Sequence, residues 1–175
     1  MGDIENEYLL ESIRQLQRRE PAGSVFIVHV GLVPFLGASK ELKTKPLQHS
    51  VCALMSYGLT PDIIIARADR DLPEETLIKI AESCGLPRAQ VFGAPTLSSV
   101  YDVPLSFHHQ GMDSVLSTLL LGQEQKASMS EWQHLADLRT TAVTPLRIGL
   151  VGKYSDLEDA YFSVNEGLRT AGFLQ

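Results

Sequence analysis

The sequence predicts an α/β fold built on a parallel sheet, and three observations lead there. Residues 24–30 and 61–66 are near-continuous β-branched and aromatic runs, the pattern of strands buried on both faces. Between and after them, apolar residues recur at helical spacing. Strand and helix signals then alternate as βαβαβα, half of a doubly wound domain. The chain has 175 residues, enough for one domain with a core.

The composition fits that class. Apolar residues make up 44% and charged residues 21%, an ordinary globular balance. The formal charge of −6 argues against a general nucleic-acid binder, so local basic spots carry more information than the total. No run approaches the ~18 apolar residues of a membrane span, and no leader pattern opens the sequence. The expectation is a soluble, cytoplasmic protein with no membrane and no nucleic-acid partner.

Residues 1–6 read as a loop leading into a helix with Leu9, Leu10, Ile13 and Leu16 on one side. A strand is missing before that helix, as though a domain were entered midway. The run 24–30 is the first strand, and His29 inside it reads as a core histidine satisfied by a neighbour. Residues 37–42 form a loop at the carboxyl edge of the sheet, where ligands bind in open α/β folds.

That loop delivers the chain to Lys43-Thr44-Lys45-Pro46-Leu47-Gln48-His49-Ser50. Pro46 opens a helix carrying Val51, Leu54 and Met55, since a first helical turn tolerates the missing N–H. Lys43 and Lys45 therefore approach a helix N-terminus, where free amides and the helix dipole favour an anion. The chemistry suits a phosphate chain. A solvated lysine-rich turn fits the same residues.

The helix ends near Gly58 and residues 61–66 form the second strand. Its exit, Arg67-Ala68-Asp69-Arg70-Asp71, is dense in charge at the same sheet edge. Pro73 opens a helix with Glu74 and Glu75 in its first turn and Leu77, Ile80, Ala81 and Cys84 inward, and Gly85 closes it. Lys79 leaves that face and alone reads as a surface lysine. Residues 89–93 are a short strand, 95–101 a loop, and Tyr101 to Leu105 a turn into a helix over Met112, Val115, Leu116, Leu119 and Leu120.

Residues 122–128 are polar and read as a linker, followed by a helix with Trp132, Leu135 and Leu138 aligned. After a second polar connection, residues 146–154 read as a strand and a glycine turn. A helix with Ala160, Val164 and Leu168 follows, as at the start of another α/β domain.

Several chemistries are excluded. Gly149 to Lys153 is not a P-loop: two residues rather than four separate the glycines, and Tyr154 stands where Ser or Thr is needed. There is no Gly-x-Ser-x-Gly elbow and no cysteine in a nucleophile setting. The two cysteines, Cys52 and Cys84, read as buried free thiols on helices. No histidine pairs with a cysteine or carboxylate at ligand spacing, and His108 and His109 are adjacent rather than stacked on one helix face.

Taken in order, Gly2-Asp3-Ile4-Glu5, the Lys43–Ser50 run, Pro61-Asp62-Ile63-Ile64, Ser99-Val100-Tyr101 and Val151-Gly152-Lys153-Tyr154 resemble the CTP synthase family. The resemblance covers essentially the whole chain. It implies a P-loop-NTPase-like parallel sheet, an amidoligase domain without its N-terminal P-loop part, plus the first strand and helix of a second α/β domain. The implied division is residues 1–121 for the C-terminal part of the amidoligase domain, 122–145 for an interdomain linker with a helix, and 146–175 for the start of a glutamine amidotransferase domain.

The implied activity is that of a ligase forming C–N bonds. UTP is aminated to CTP with ATP and Mg²⁺, using glutamine or ammonia, in pyrimidine nucleotide biosynthesis, with feedback by CTP. The implied assembly is a homotetramer. By the same resemblance Lys43, Thr44, Lys45, Pro46, Leu47 and Gln48 belong to overlapping UTP and CTP sites, with Asp3, Ile4, Glu5 and Lys79. Pro95, Thr96 and Leu97 lie where the family contacts the ATP adenine. Three positions depart from the family pattern: Leu47 replaces a threonine, and Pro95-Thr96 replaces a Lys-Asp pair. The family's P-loop, magnesium carboxylates and glutaminase Cys, His and Glu match nothing in this sequence. No catalytic residue and no metal ligand is therefore assigned, and the chain by itself is expected to be inactive. The alternative is a non-catalytic nucleotide-binding, regulatory or oligomerisation module derived from the same family.

Overall fold

The computed structural model describes residues 6–141, 145–154 and 156–173. The chain divides into two compact units, Met1–Ala127 and Ser128–Gln175.

In the first unit, helix α1 (Glu7–Arg19) precedes strand β1 (Val28–Leu32). A small antiparallel hairpin follows, β2 (Phe35–Leu36) against β3 (Glu41–Leu42), and leads into helix α2 (Lys45–Ser56). Strand β4 (Ile63–Arg67), helix α3 (Glu74–Cys84) and strand β5 (Val91–Ala94) come next, then helices α4 (Val103–His109) and α5 (Met112–Leu121). Strands β1, β4 and β5 form a three-stranded parallel sheet in the order β1-β4-β5. The register aligns Gly31 with Ala66 and Ala66 with Gly93.

Strand alternation sends residues to two separate cores. On one face Ile64, Ala66 and Val91 pack with Leu47 and Val51 of α2 and with Leu77, Ile80 and Ala81 of α3. On the other, Ile63 and Phe92 pack with Met112, and Phe107, Val115 and Leu116 lie against them. Full burial of a side chain such as Ile64 or Leu47 is worth roughly 1.5–3 kcal/mol relative to exposure.

Three expectations change here. Strand β1 is not buried on both faces: Val28 is 44%, Val30 61% and Leu32 58% exposed. The strand stands at the sheet edge, and α4 and α5 cover that face only over β4 and β5. Cys52 is exposed, because it leaves the α2 stripe formed by Leu47, Val51 and Leu54, while Cys84 is half-buried. The single helix expected over residues 112–120 is preceded by a separate helix α4, with the break at Gly111 in the left-handed region at φ 82°.

In the second unit, helix α6 (Ser130–Thr141) and helix α7 (Phe162–Phe173) pack together. The strand expected over residues 146–154 is absent. Leu146 is 81% and Val151 100% exposed, and no strand among the described residues pairs with the segment. A lone strand leaves its amides and carbonyls unpaired, so the apolar run does not become one. Gly152 accepts the close approach of Tyr161, whose hydroxyl leaves no room for a Cβ there.

Candidate functional site

The carboxyl edge of the sheet gathers most of the residues that the sequence singles out. Leaving β1, Val33 is fully buried and its amide donates to the Arg67 carbonyl at 2.8 Å. The β2–β3 hairpin then follows. Its far end returns where the Lys43 amide donates to the Pro34 carbonyl at 2.9 Å, and the Arg70 guanidinium sits 3.5 Å from the Phe35 ring centroid. The turn between the two strands holds Lys40 at φ 51°, a conformation uncommon for a residue with a side chain.

Thr44 is the N-cap residue of α2 and is 5% exposed. Its hydroxyl accepts a hydrogen bond from Gln48 Nε2 at 3.1 Å, and its carbonyl accepts from the Gln48 amide at 3.0 Å. Two expected site residues are thereby tied to each other across the first turn. Lys45 and Pro46 are exposed, and Pro46 lies in the first turn as expected. The geometry of any α-helix leaves the Lys45 and Leu47 amides without a partner inside the helix, which is the anion-favouring feature of such an end.

Leu47 is different. Its side chain is fully buried against Gly31, so any part it plays at a ligand falls to its backbone amide. Gly31 makes that packing possible: a Cβ there would sit 2.8 Å from Leu47 Cγ. The same contact fixes the height of the α2 N-terminus above β1.

The Lys43 ammonium is paired with the Glu41 carboxylate, and Lys43 is half-exposed. Hydrogen bonding to Lys43, its charge and the more distant charge of Lys79 together hold the Glu41 carboxyl below the usual carboxylate range. Lys79 is exposed on α3, the helix packed beside α2. Asp3, Ile4 and Glu5 lie outside the described residues.

Pro95, Thr96 and Leu97 follow β5 at the same sheet edge. Thr96 Oγ1 accepts from Arg67 Nη2 at 2.9 Å, and Arg67 also donates to the carbonyls of Ala68 and Ala94. Arg67 thus braces the loop from the neighbouring strand. Neither Glu41 nor Arg67 was singled out from the sequence. The charged exit at residues 67–71 held the signal for Arg67, and Glu41 gave none beyond its place two residues before Lys43.

His29 behaves as expected. It is 8% exposed, its Nε2 lies 3.0 Å from Ser50 Oγ, and burial pushes its pKa below the ordinary histidine value. It lines an apolar recess of about 260 Å³ with Leu10, Ile13, Ile27, Ser50 and Leu54. That recess runs along Ile27 to Val30, at the start of β1.

Among the described residues, no three His, Cys, Asp or Glu side chains converge to hold a metal ion. No helix among them is long and apolar enough to cross a membrane.

Residues 1–121 match the family model described as CTP synthase N-terminus. The CTP synthase of Saccharopolyspora erythraea is 44% identical over 173 residues, which are 99% of this chain and 30% of that protein. The CTP synthase of Leifsonia xyli is 43% identical over 174 residues, 99% of this chain and 31% of its own length. That of Zymomonas mobilis is 42% identical over 173 residues, 98% of this chain and 32% of its own length. The chain spans about 30% of the length of the curated relatives it matches.

Proposed function

Because this chain belongs to the CTP synthase family, we propose that its Lys43–Gln48 corner holds the triphosphate of UTP and of CTP. The reaction served is the ATP-dependent amination of UTP to CTP with nitrogen from glutamine or ammonia, in pyrimidine nucleotide biosynthesis. One observation carries the reading. Lys43 and Lys45 flank a buried N-cap threonine at a helix N-terminus, on the carboxyl edge of a parallel sheet. A triphosphate concentrates negative charge, and two ammonium groups beside free helical amides answer it.

Each residue has a defined task in this reading. Lys43 and Lys45 neutralise phosphate oxygens. Thr44 and Gln48, already bonded to each other, hold the first turn in shape, and the Leu47 amide faces the anion while its side chain stays in the core. Lys79 adds a third positive charge, and Asp3, Ile4 and Glu5 complete the nucleotide pocket. The Pro95–Thr96–Leu97 loop, braced by Arg67, contacts the ATP adenine through its backbone, which the departure from a Lys-Asp pair requires. No Mg²⁺ ligand and no chemical step is assigned to these residues. The chain alone is a binding piece of a homotetrameric ligase, with residues 1–121 in the amidoligase domain, 122–145 in the linker and 146–175 in the glutaminase domain.

Competition tests the overlap of the two nucleotides. UTP titrated into chain saturated with CTP should show its apparent affinity falling in proportion to the CTP present. Independent, additive binding of the two would contradict the shared corner.

A further inference from the structure

The lysine at the heart of this corner is not idle. Its ammonium is held by Glu41, two residues earlier. On an extended stretch, residues i and i+2 point the same way. The ladder that pairs Leu36 with Glu41 and Phe35 with Leu42 continues through the Lys43 amide to Pro34, so both side chains leave the hairpin on one side. The hairpin is anchored at its open end, by Arg70 over Phe35 and by the start of α2. Glu41 and Lys43 therefore share one side of the hairpin, where their charged groups meet. The charge of Lys79 acts on the same carboxylate.

We propose that Glu41 is a built-in competitor for the triphosphate: its carboxylate occupies Lys43 in the free chain and is displaced when a polyphosphate arrives. This inference rests on the reading of the corner as a UTP and CTP site. The pair is suited to displacement because it is open to water: the Lys43 side chain is 40% and that of Glu41 58% exposed. Exposed pairs hold weakly, so the lysine is engaged without being locked. A triphosphate carries enough charge to take the lysine from Glu41, whereas a monophosphate competes poorly. Glu41 thus lowers affinity for every phosphate ligand and lowers it most, in proportion, for the short ones.

The test is calorimetric titration of the chain and its Glu41→Gln, Lys43→Ala and doubly substituted forms with CTP and with CMP. Thermal melts of each form report folding, which an exposed Glu41→Gln leaves intact. Glu41→Gln should tighten CTP binding by about two- to fivefold and narrow the preference for CTP over CMP. In the Lys43→Ala background the same substitution should change nothing through this pair. Saturable CTP binding that Glu41→Gln leaves unchanged or weakens overturns the competitor role and leaves the site standing. No saturable CTP binding by the unmodified chain overturns the site and this inference together.

Discussion

Gly31 of β1 lies directly beneath Leu47 of α2, so close that a Cβ on the glycine would stand 2.8 Å from Leu47 Cγ. This contact couples the sheet to the lysine corner, because Leu47 belongs to the same helical turn as Lys45. Gly31→Ala is expected to push Leu47 out of its place and destabilise the first unit by about 1–3 kcal/mol, the usual cost of overpacking. A urea or thermal melt measures it. CTP affinity should fall as well, since α2 is shifted at its N-terminus. A stability equal to that of the unmodified chain would show that the interface can yield at no cost.

The open side of β5 is closed by a side chain. Gln110 Oε1 accepts from the Gly93 amide at 2.8 Å, and Gln110 Nε2 donates to the Gly93 carbonyl at 2.9 Å. The carboxamide thus does what another strand would do. Gln110→Ala removes both bonds and should cost about 1–3 kcal/mol, with faster amide hydrogen exchange at Gly93. Unchanged exchange there would mean that water replaces the carboxamide without loss.

His29 gives the fold a pH dependence of known sign. Burial lowers its pKa from the ordinary value of 6.5, so the folded state takes up a proton less readily than the unfolded one. The stability associated with neutral His29 is complete above pH 6.5 and is lost as pH falls below it toward the folded value. Measured against a His29→Gln variant that keeps a polar partner for Ser50, the unmodified chain should lose relative stability as pH falls below 6.5. A difference that stays constant over that range contradicts the assignment.

Much of this fold was legible in the sequence, for reasons that can be named. The β-branched run at 61–66 holds β4 because interior parallel strands select such residues, whereas the run at 24–30 becomes strand only from Val28 onward, and β1 then continues to Leu32. Pro46 and Pro73 marked helix starts to within a residue, and Gly85 closes α3 in the left-handed region at φ 71°. Periodicity could not say which strand lies at the edge, and so the exposure of Val28, Val30 and Leu32 was unforeseen. The segment at 146–154 has strand composition without a strand to pair with, which sequence pattern alone does not register. At the site, the lysine corner stood out because Lys-Thr-Lys-Pro joins charge to a helix start. Glu41, Arg67 and Gln110 did not, because their roles arise from a same-side pairing with Lys43 along β3 and its exit, from contacts between β4 and the loop after β5, and from the end of α4 back to β5.

The central claim is that Lys43 and Lys45 hold a nucleotide triphosphate. The most direct measurement is calorimetric titration of CTP into the chain and into its Lys43→Ala/Lys45→Ala variant, at low and moderate salt. The account predicts one saturable site in the unmodified chain, weakened at least about tenfold in the variant and weakened further by salt. Equal affinity in the two proteins, or no saturable binding by either, would contradict it.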